Sequence, residues 1–119
     1  MHGAAVHCVP APRRVPGNDW IHVAIIRMNH KGKSMDGEDY AIQWSGNVPE
    51  VVTHVKEVRK QGMGVISMKL IGEGTFNRED RRQAMKFAFK NAGVDCVTVG
   101  YKSTAEIDEA IENLNLALA

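Results

Sequence analysis

Three apolar segments constrain this chain more than any other feature: "IHVAIIRM" (residues 21–28), "GVISMKLI" (64–71) and "CVTVG" (96–100). The first is a near-continuous β-branched run, and the second is interrupted only by Ser67 and Lys69. Short runs that are apolar on both sides of the chain are the mark of strands covered on both faces. Each is followed by a polar, glycine-containing stretch and then by a helical pattern with a single apolar stripe.

The first of these helices has Pro49 in its opening turn, with Val48 or Asn47 before it, and a stripe of Val51, Val52, Val55 and Val58. Gly62 stands where a helix-terminating glycine belongs. Asn77 caps the second helix, whose "REDRR" start is a solvated first turn and whose buried face is Ala84, Met85, Ala88 and Phe89, ending at Asn91, Ala92 and Gly93. Ser103 or Thr104 caps the third, which carries Ile107, Ile111, Leu114 and Leu118 on one stripe. The first twenty residues hold three prolines and two glycines. Only residues 4–9 suit a strand there, and a helix over residues 10–15 would be short or absent.

The order is therefore an optional strand followed by β-α-β-α-β-α, joined by short links at Gly62 and Gly93. Buried strands alternating with amphipathic helices require parallel pairing through crossover helices. A doubly wound sheet and a (β/α)8 barrel both satisfy that pattern, and both place ligands at the carboxyl ends of the strands. The long, chemically varied loops, "NHKGKSMDG", "GEGTFN" and "GYKST", lie at that end.

The chain has 119 residues, which suits one domain with one core. Its 15 basic and 14 acidic residues leave a formal charge of +1, so neither nucleic acid nor an anionic membrane is an expected partner. Cys8 and Cys96 are too few for a disulfide framework and read as reduced thiols of a cytoplasmic protein, although two cysteines can pair. No apolar run reaches the about 18 residues that span a bilayer. The N-terminus has no continuous apolar segment behind a basic start, so it does not read as a signal peptide.

The stretch "CVTVGYKSTAEIDEAI" (96–111) is strand, tight turn and helix start in succession, a common anion-binding device. Turn amides, the helix dipole and Lys102 can act together on a phosphate. The plainer reading makes Gly100 a turn residue and Ser103 or Thr104 a cap. Lys69, within an apolar strand, is a candidate Schiff-base nucleophile, or a strand-end lysine that pairs with Glu73. Arg27 and Asn29 end the first clear strand at the loop-rich end and are candidate ligand contacts, with a structural hydrogen-bonding role as the alternative. His2, His7, His22, His30 and His54 show no metal-ligand spacing, and no metal site is expected. His54 falls on the outer side of its helix, and His30 sits in a loop beside Lys31; a metal cluster would have to draw on Asp36 or Asp39.

"VAIIRMNHKGKSMDG", "HVKEVRKQGMGVISMKLIGEG" and "VDCVTVGYKSTAEIDEAI" together resemble the C-terminal half of bacterial aldo/keto reductases, over residues 21–119. "GAAVHC" looks like a degraded version of that family's fifth strand. The resemblance implies strands five to eight of a (β/α)8 barrel that holds a nicotinamide cofactor. The family's catalytic Asp, Tyr, Lys and His come from the other half, and no position here corresponds to them. The family's Ser-Asn pair after strand five likewise has no counterpart around Val6 and His7.

By the same likeness, Lys69, Leu70, Ile71 and Gly72 close strand seven, while Gly100, Tyr101, Lys102 and Ser103 form the phosphate turn after strand eight. Glu106 stands where many family members have an Arg for the 2′-phosphate. The expected cofactor is thus NAD(H) or NADP(H), bound weakly, with the unphosphorylated form favoured. A (β/α)4 half-barrel also leaves two strand edges and one sheet face bare. Self-association is expected to cover them, as a closed barrel or as stacked or swapped sheets, with a missing N-terminal half as another possible partner. The alternatives to a cofactor-binding module are a non-catalytic structural half-barrel and a new activity of the composite barrel built on Lys69.

Overall fold

A computed structural model describes residues 1–6, 12–36, 42–43 and 46–119. Strand β1 (Gly3–Val6) is followed, among the described residues, by a 3-10 turn (Pro12–Arg14) and then by β2 (Val23–Arg27). Next come the two-residue strands β3 (Met35–Asp36) and β4 (Ile42–Gln43), helix α1 (Val48–Lys60) and strand β5 (Gly64–Met68). Helix α2 (Arg78–Lys86) continues as a π-helical turn (Phe87–Ala92), and β6 (Cys96–Val97) and α3 (Thr104–Leu118) complete the chain.

The main sheet has the order β1-β2-β5-β6, and every neighbouring pair is parallel. The strands thus lie side by side in chain order, each crossover stepping the same way. Because such crossovers are right-handed, stepping in one direction keeps every helix on one face of the sheet. A doubly wound sheet reverses direction at a switch point and covers both faces. The winding here is that of a barrel segment, and the sheet is open.

Register shows which side is covered. Ala24, Ile26 and Met28 of the β2 segment and Val65 of β5 are buried in one cluster with Val51, Val55 and Val58 of α1 and with Ala84, Met85 and Ala88. The three buried valines of α1 contribute roughly 2 kcal/mol each relative to exposure. The alternate residues point the other way. Ala5, Ile25, Ile66 and Cys96 form one row across the strands, and Arg27 and Met68 begin the next. Ile25, Ile66 and Met68 are only half-buried, and no described helix packs over them.

The caps follow local chemistry. Asn47, Asn77 and Ser103 each accept a hydrogen bond from the main-chain N–H three residues on, which starts α1, α2 and α3. Gly62 and Gly93 take the left-handed conformation after α1 and after the π-helical turn, φ 87° and 76°. The strands are shorter than their apolar runs: β2 stops at Arg27, β5 at Met68 and β6 at Val97. The loop after β2, read as irregular, contains the β3–β4 ribbon and buries Met35. His7 and Cys8 of the expected first strand, Asp39, and Trp44 and Ser45 of the same loop lie outside the described residues.

Helix α3 departs most from its pattern. Ile107, Ile111 and Leu118 are 43%, 53% and 59% exposed, and only Leu114 of that stripe is partly covered. The buried side is Asn113 and Ala117, with Ala110 partly buried. At 100° per residue this is a rotation of roughly a quarter turn from the apolar stripe. Small residues let α3 lie close against α2, and the paired Arg81 and Glu109 lock the two helices in that orientation. The guanidinium donates from Nε and from an NH2 group to the two carboxylate oxygens at 2.7 and 2.9 Å. His54 also differs from its expected outward position: its side chain is 15% exposed and lies between Glu50 and Glu57.

Candidate functional site

The carboxyl ends of β5 and β6 form a pocket of about 400 Å³. One wall is the loop after β5, with Met68, Lys69, Leu70, Ile71, Glu73 and Gly74; the other is the turn after β6, with Thr98, Val99, Gly100, Lys102 and Glu106. Parallel pairing of β5 with β6 makes these two loops neighbours, although about thirty residues separate them in the chain.

The β5 loop is held in an uncommon backbone shape. Lys69 and Glu73 both adopt left-handed conformations, φ 61° and 57°, and Gly72 and Gly74 do so at 57° and 81°. A side chain costs about 1–2 kcal/mol in that region. Among the interactions that hold the turn, the Lys69 ammonium pairs with the Glu73 carboxylate, and the Lys69 carbonyl accepts hydrogen bonds from Asn29 at 3.2 Å and from the Gly72 N–H at 3.1 Å. The Lys69 hydrogen bond and charge keep the Glu73 carboxyl below its ordinary range, with a smaller contribution from Arg27. Arg27 extends from the uncovered face of β2, in register with Met68.

The second wall has its own internal anion. Ser103 Oγ accepts from the Glu106 N–H at 3.3 Å, and Glu106 Oε2 accepts from the Lys102 N–H at 2.9 Å. The carboxylate therefore occupies the Lys102 turn amide. Tyr101 is half-buried in the same turn; burial, and to a lesser extent the Glu106 charge, raises its phenol above the ordinary value. The Lys102 ammonium crosses towards the other wall, lying 3.3 Å from where a Cβ on Gly74 would stand. Glycine at 74 gives it that space.

Of the residues that the resemblance implies for cofactor contact, Lys69, Leu70, Ile71, Gly100, Lys102 and Glu106 line this pocket. Gly72, Tyr101 and Ser103 belong to the same loops without lining it. Gly72 is buried against Phe76, whose ring carbons would be 2.6 and 2.7 Å from an added Cβ. Ser103 is spent on its cap. Glu73 and Gly74, not among the expected contacts, complete the first wall; the "GEG" glycines were the available signal for a close approach there. Thr98 and Val99 were read as strand and instead line the second wall.

Asn29 is fully buried and makes four hydrogen bonds within the chain. Its Nδ2 donates to the carbonyls of Lys33 and Lys69, and its Oδ1 accepts from the N–H groups of Lys31 and Lys33. Every hydrogen-bonding position of this amide is in use.

Next to it, His30 packs edge-on to Phe76 with ring centroids 5.4 Å apart, and Lys31 pairs with Asp80 at 2.6 Å. Burial lowers the His30 pKa more than Asp80 raises it. Among the described residues no group of three or more His, Cys, Asp or Glu is placed to hold a metal ion, and no helix is long and apolar enough to cross a membrane. Cys96 is an exposed free thiol.

No protein-family model, curated protein or solved structure matches this chain. The fold defines a small α/β domain with a four-stranded, all-parallel sheet, and a pocket lies at the carboxyl ends of two of its strands.

Proposed function

We propose that the chain is an aldo/keto reductase-like half-barrel that binds the phosphate portion of a nicotinamide nucleotide at the carboxyl ends of β5 and β6, and that it does not reduce carbonyls alone. The observation that carries this reading is the convergence of Lys69, Lys102 and Gly100 on one pocket at the end of the sheet where parallel α/β folds bind their ligands. Two ammonium groups supply charge for a pyrophosphate, and Gly100, with open space around it, lets it approach the backbone. By the resemblance, the family's catalytic tetrad has no counterpart in this chain.

The pocket's charges limit what it binds. Glu73 faces Lys69 and Glu106 holds the Lys102 amide, so two carboxylates oppose two ammonium groups. Binding is therefore weak and sensitive to salt. A 2′-phosphate near Glu106 is repelled, which favours NADH over NADPH. Replacing the carboxylate in Glu106→Ala frees the amide and is expected to tighten binding of either nucleotide, with the larger gain for NADPH.

Titration calorimetry with NADH and NADPH tests the reading. A saturable heat that weakens in Lys102→Ala supports it; no heat with either nucleotide, for the native chain and for Glu106→Ala, rejects it. The second reading is a non-catalytic structural half-barrel, favoured by the same internal ion pairing, which leaves the pocket balanced without a ligand. The Schiff-base reading of Lys69 has its own test: borohydride trapping of an aldehyde should label the native chain and not Lys69→Ala.

A further inference from the structure

We propose that the groove between α2 and α3 binds a short peptide by its two charged ends and by the main chain of its central residue. The groove shares no residue with the pocket at the strand ends. Its two halves, about 370 and 260 Å³, have Glu79, Arg82, Asn113 and Leu116 in common and so form one trough.

Asn113 carries the inference. It is only 7% exposed, yet its carboxamide has no hydrogen-bond partner among the described residues. Buried amides are almost always paired, and one that is not has lost its water without replacement. Asn113 lines both halves of the groove, so a group lying there can complete it. A carboxamide offers a donor and an acceptor side by side. The N–H and C=O of one extended residue point to the same side and answer both.

Charge selects the rest of the ligand. Lys86 lines one half of the groove only and Glu112 the other half only, while Arg82 lies between them, one helical turn before Lys86. Among the described residues none of these three has an ion-pair partner. Glu79 is already engaged, accepting from Gln83 Nε2 at 2.7 Å. A ligand with an ammonium at one end and a carboxylate at the other matches what is left, the ammonium on Glu112 and the carboxylate on Arg82 and Lys86. From Arg78 to Lys86 the helix rises about 12 Å, and three extended residues span about 10 Å. Leu116, half-exposed in the middle of the trough, seats an apolar central side chain.

Titration calorimetry with the tripeptide alanyl-leucyl-alanine tests this. A saturable heat is expected, weakened about ten-fold or more by N-acetylation, by C-amidation and by Asn113→Ala. Alanine removes an unmatched amide and favours the helix, so the thermal midpoint of Asn113→Ala should equal or exceed that of the native chain while binding falls. Lys86→Glu, at an exposed position, should weaken the free tripeptide and leave its C-amide unaffected. The proposal is overturned by the absence of saturable heat, by either capped peptide binding as firmly as the free one, or by native affinity in Asn113→Ala.

Discussion

Asn29 Nδ2 donates to the main-chain carbonyl of Lys69 across 3.2 Å, joining the end of β2 to the first residue of the strained β5 loop. The two residues are forty positions apart, and each sits one or two residues beyond its strand. Through this contact a buried amide at one strand end positions a pocket lysine at the next.

Asn29→Ala removes all four hydrogen bonds and leaves buried carbonyl and N–H groups of the 29–33 turn without their partner. A loss of roughly 2–4 kcal/mol is expected from urea denaturation. Asn29→Asp keeps the two acceptor contacts but cannot donate to Lys33 and Lys69, so its cost should approach that of alanine. A loss below about 0.5 kcal/mol in both variants would show the turn to be held by other contacts.

Lys69 illustrates strain placed at a pocket. Its φ of 61° suits glycine, and its partner Glu73 is half-exposed, so the ion pair recovers little. Lys69→Gly is therefore expected to leave stability unchanged or raise it by about 1 kcal/mol, while weakening nucleotide binding. Thermal denaturation and the titration above measure the two effects separately. A clear destabilisation would mean that the side chain, and not the backbone shape, is what holds the loop.

Gly72 and Gly62 form a controlled pair. Both have positive φ, 57° and 87°, but an alanine methyl at 72 meets the Phe76 ring, whereas nothing lies within 4 Å at 62. Gly62→Ala should cost about 1 kcal/mol from backbone strain alone, and Gly72→Ala roughly 2–4 kcal/mol with the steric clash added. Chemical denaturation of the two variants side by side checks the order.

The Arg81–Glu109 pair sets an acid limb. The Arg81 hydrogen bond holds the Glu109 carboxyl below its ordinary value. Its folded pKa is thus lower than its unfolded one, so the contribution is complete above the ordinary carboxylate range, about pH 4–5, and is lost as pH falls through the folded value. Stability of the native chain should fall more steeply below that range than stability of Glu109→Gln, which lacks the pair at every pH. Equal slopes in denaturation curves at neutral and acid pH would contradict this.

Much of the pocket was legible because its determinants are local or topological. Caps at Asn47, Asn77 and Ser103 need only a side chain and an amide three residues on. Lys69, Gly100 and Lys102 were singled out on two βα loops at the same end of a parallel sheet, and Glu106 by the family resemblance. A structural hydrogen-bonding role for Asn29 was legible, but its partners were not, since the distant one, the Lys69 carbonyl, is brought near only by pairing β2 with β5. The pairing of Lys69 with Glu73 was legible as one of two readings of Lys69, whereas the left-handed backbone at both residues was not, since both are types that normally avoid that conformation.

Alternating apolar strands and striped helices determined by themselves that this chain is a parallel α/β domain, because backbone pairing and burial leave that pattern few other outcomes. Only the tertiary structure decided that the sheet winds in one direction and is covered on one face, since either winding satisfies the same periodicity. It also decided that α3 turns its isoleucines outward. Periodicity marks a helix's apolar side, but the small residues and the Arg81–Glu109 pair at the contact with α2 choose which side meets the core.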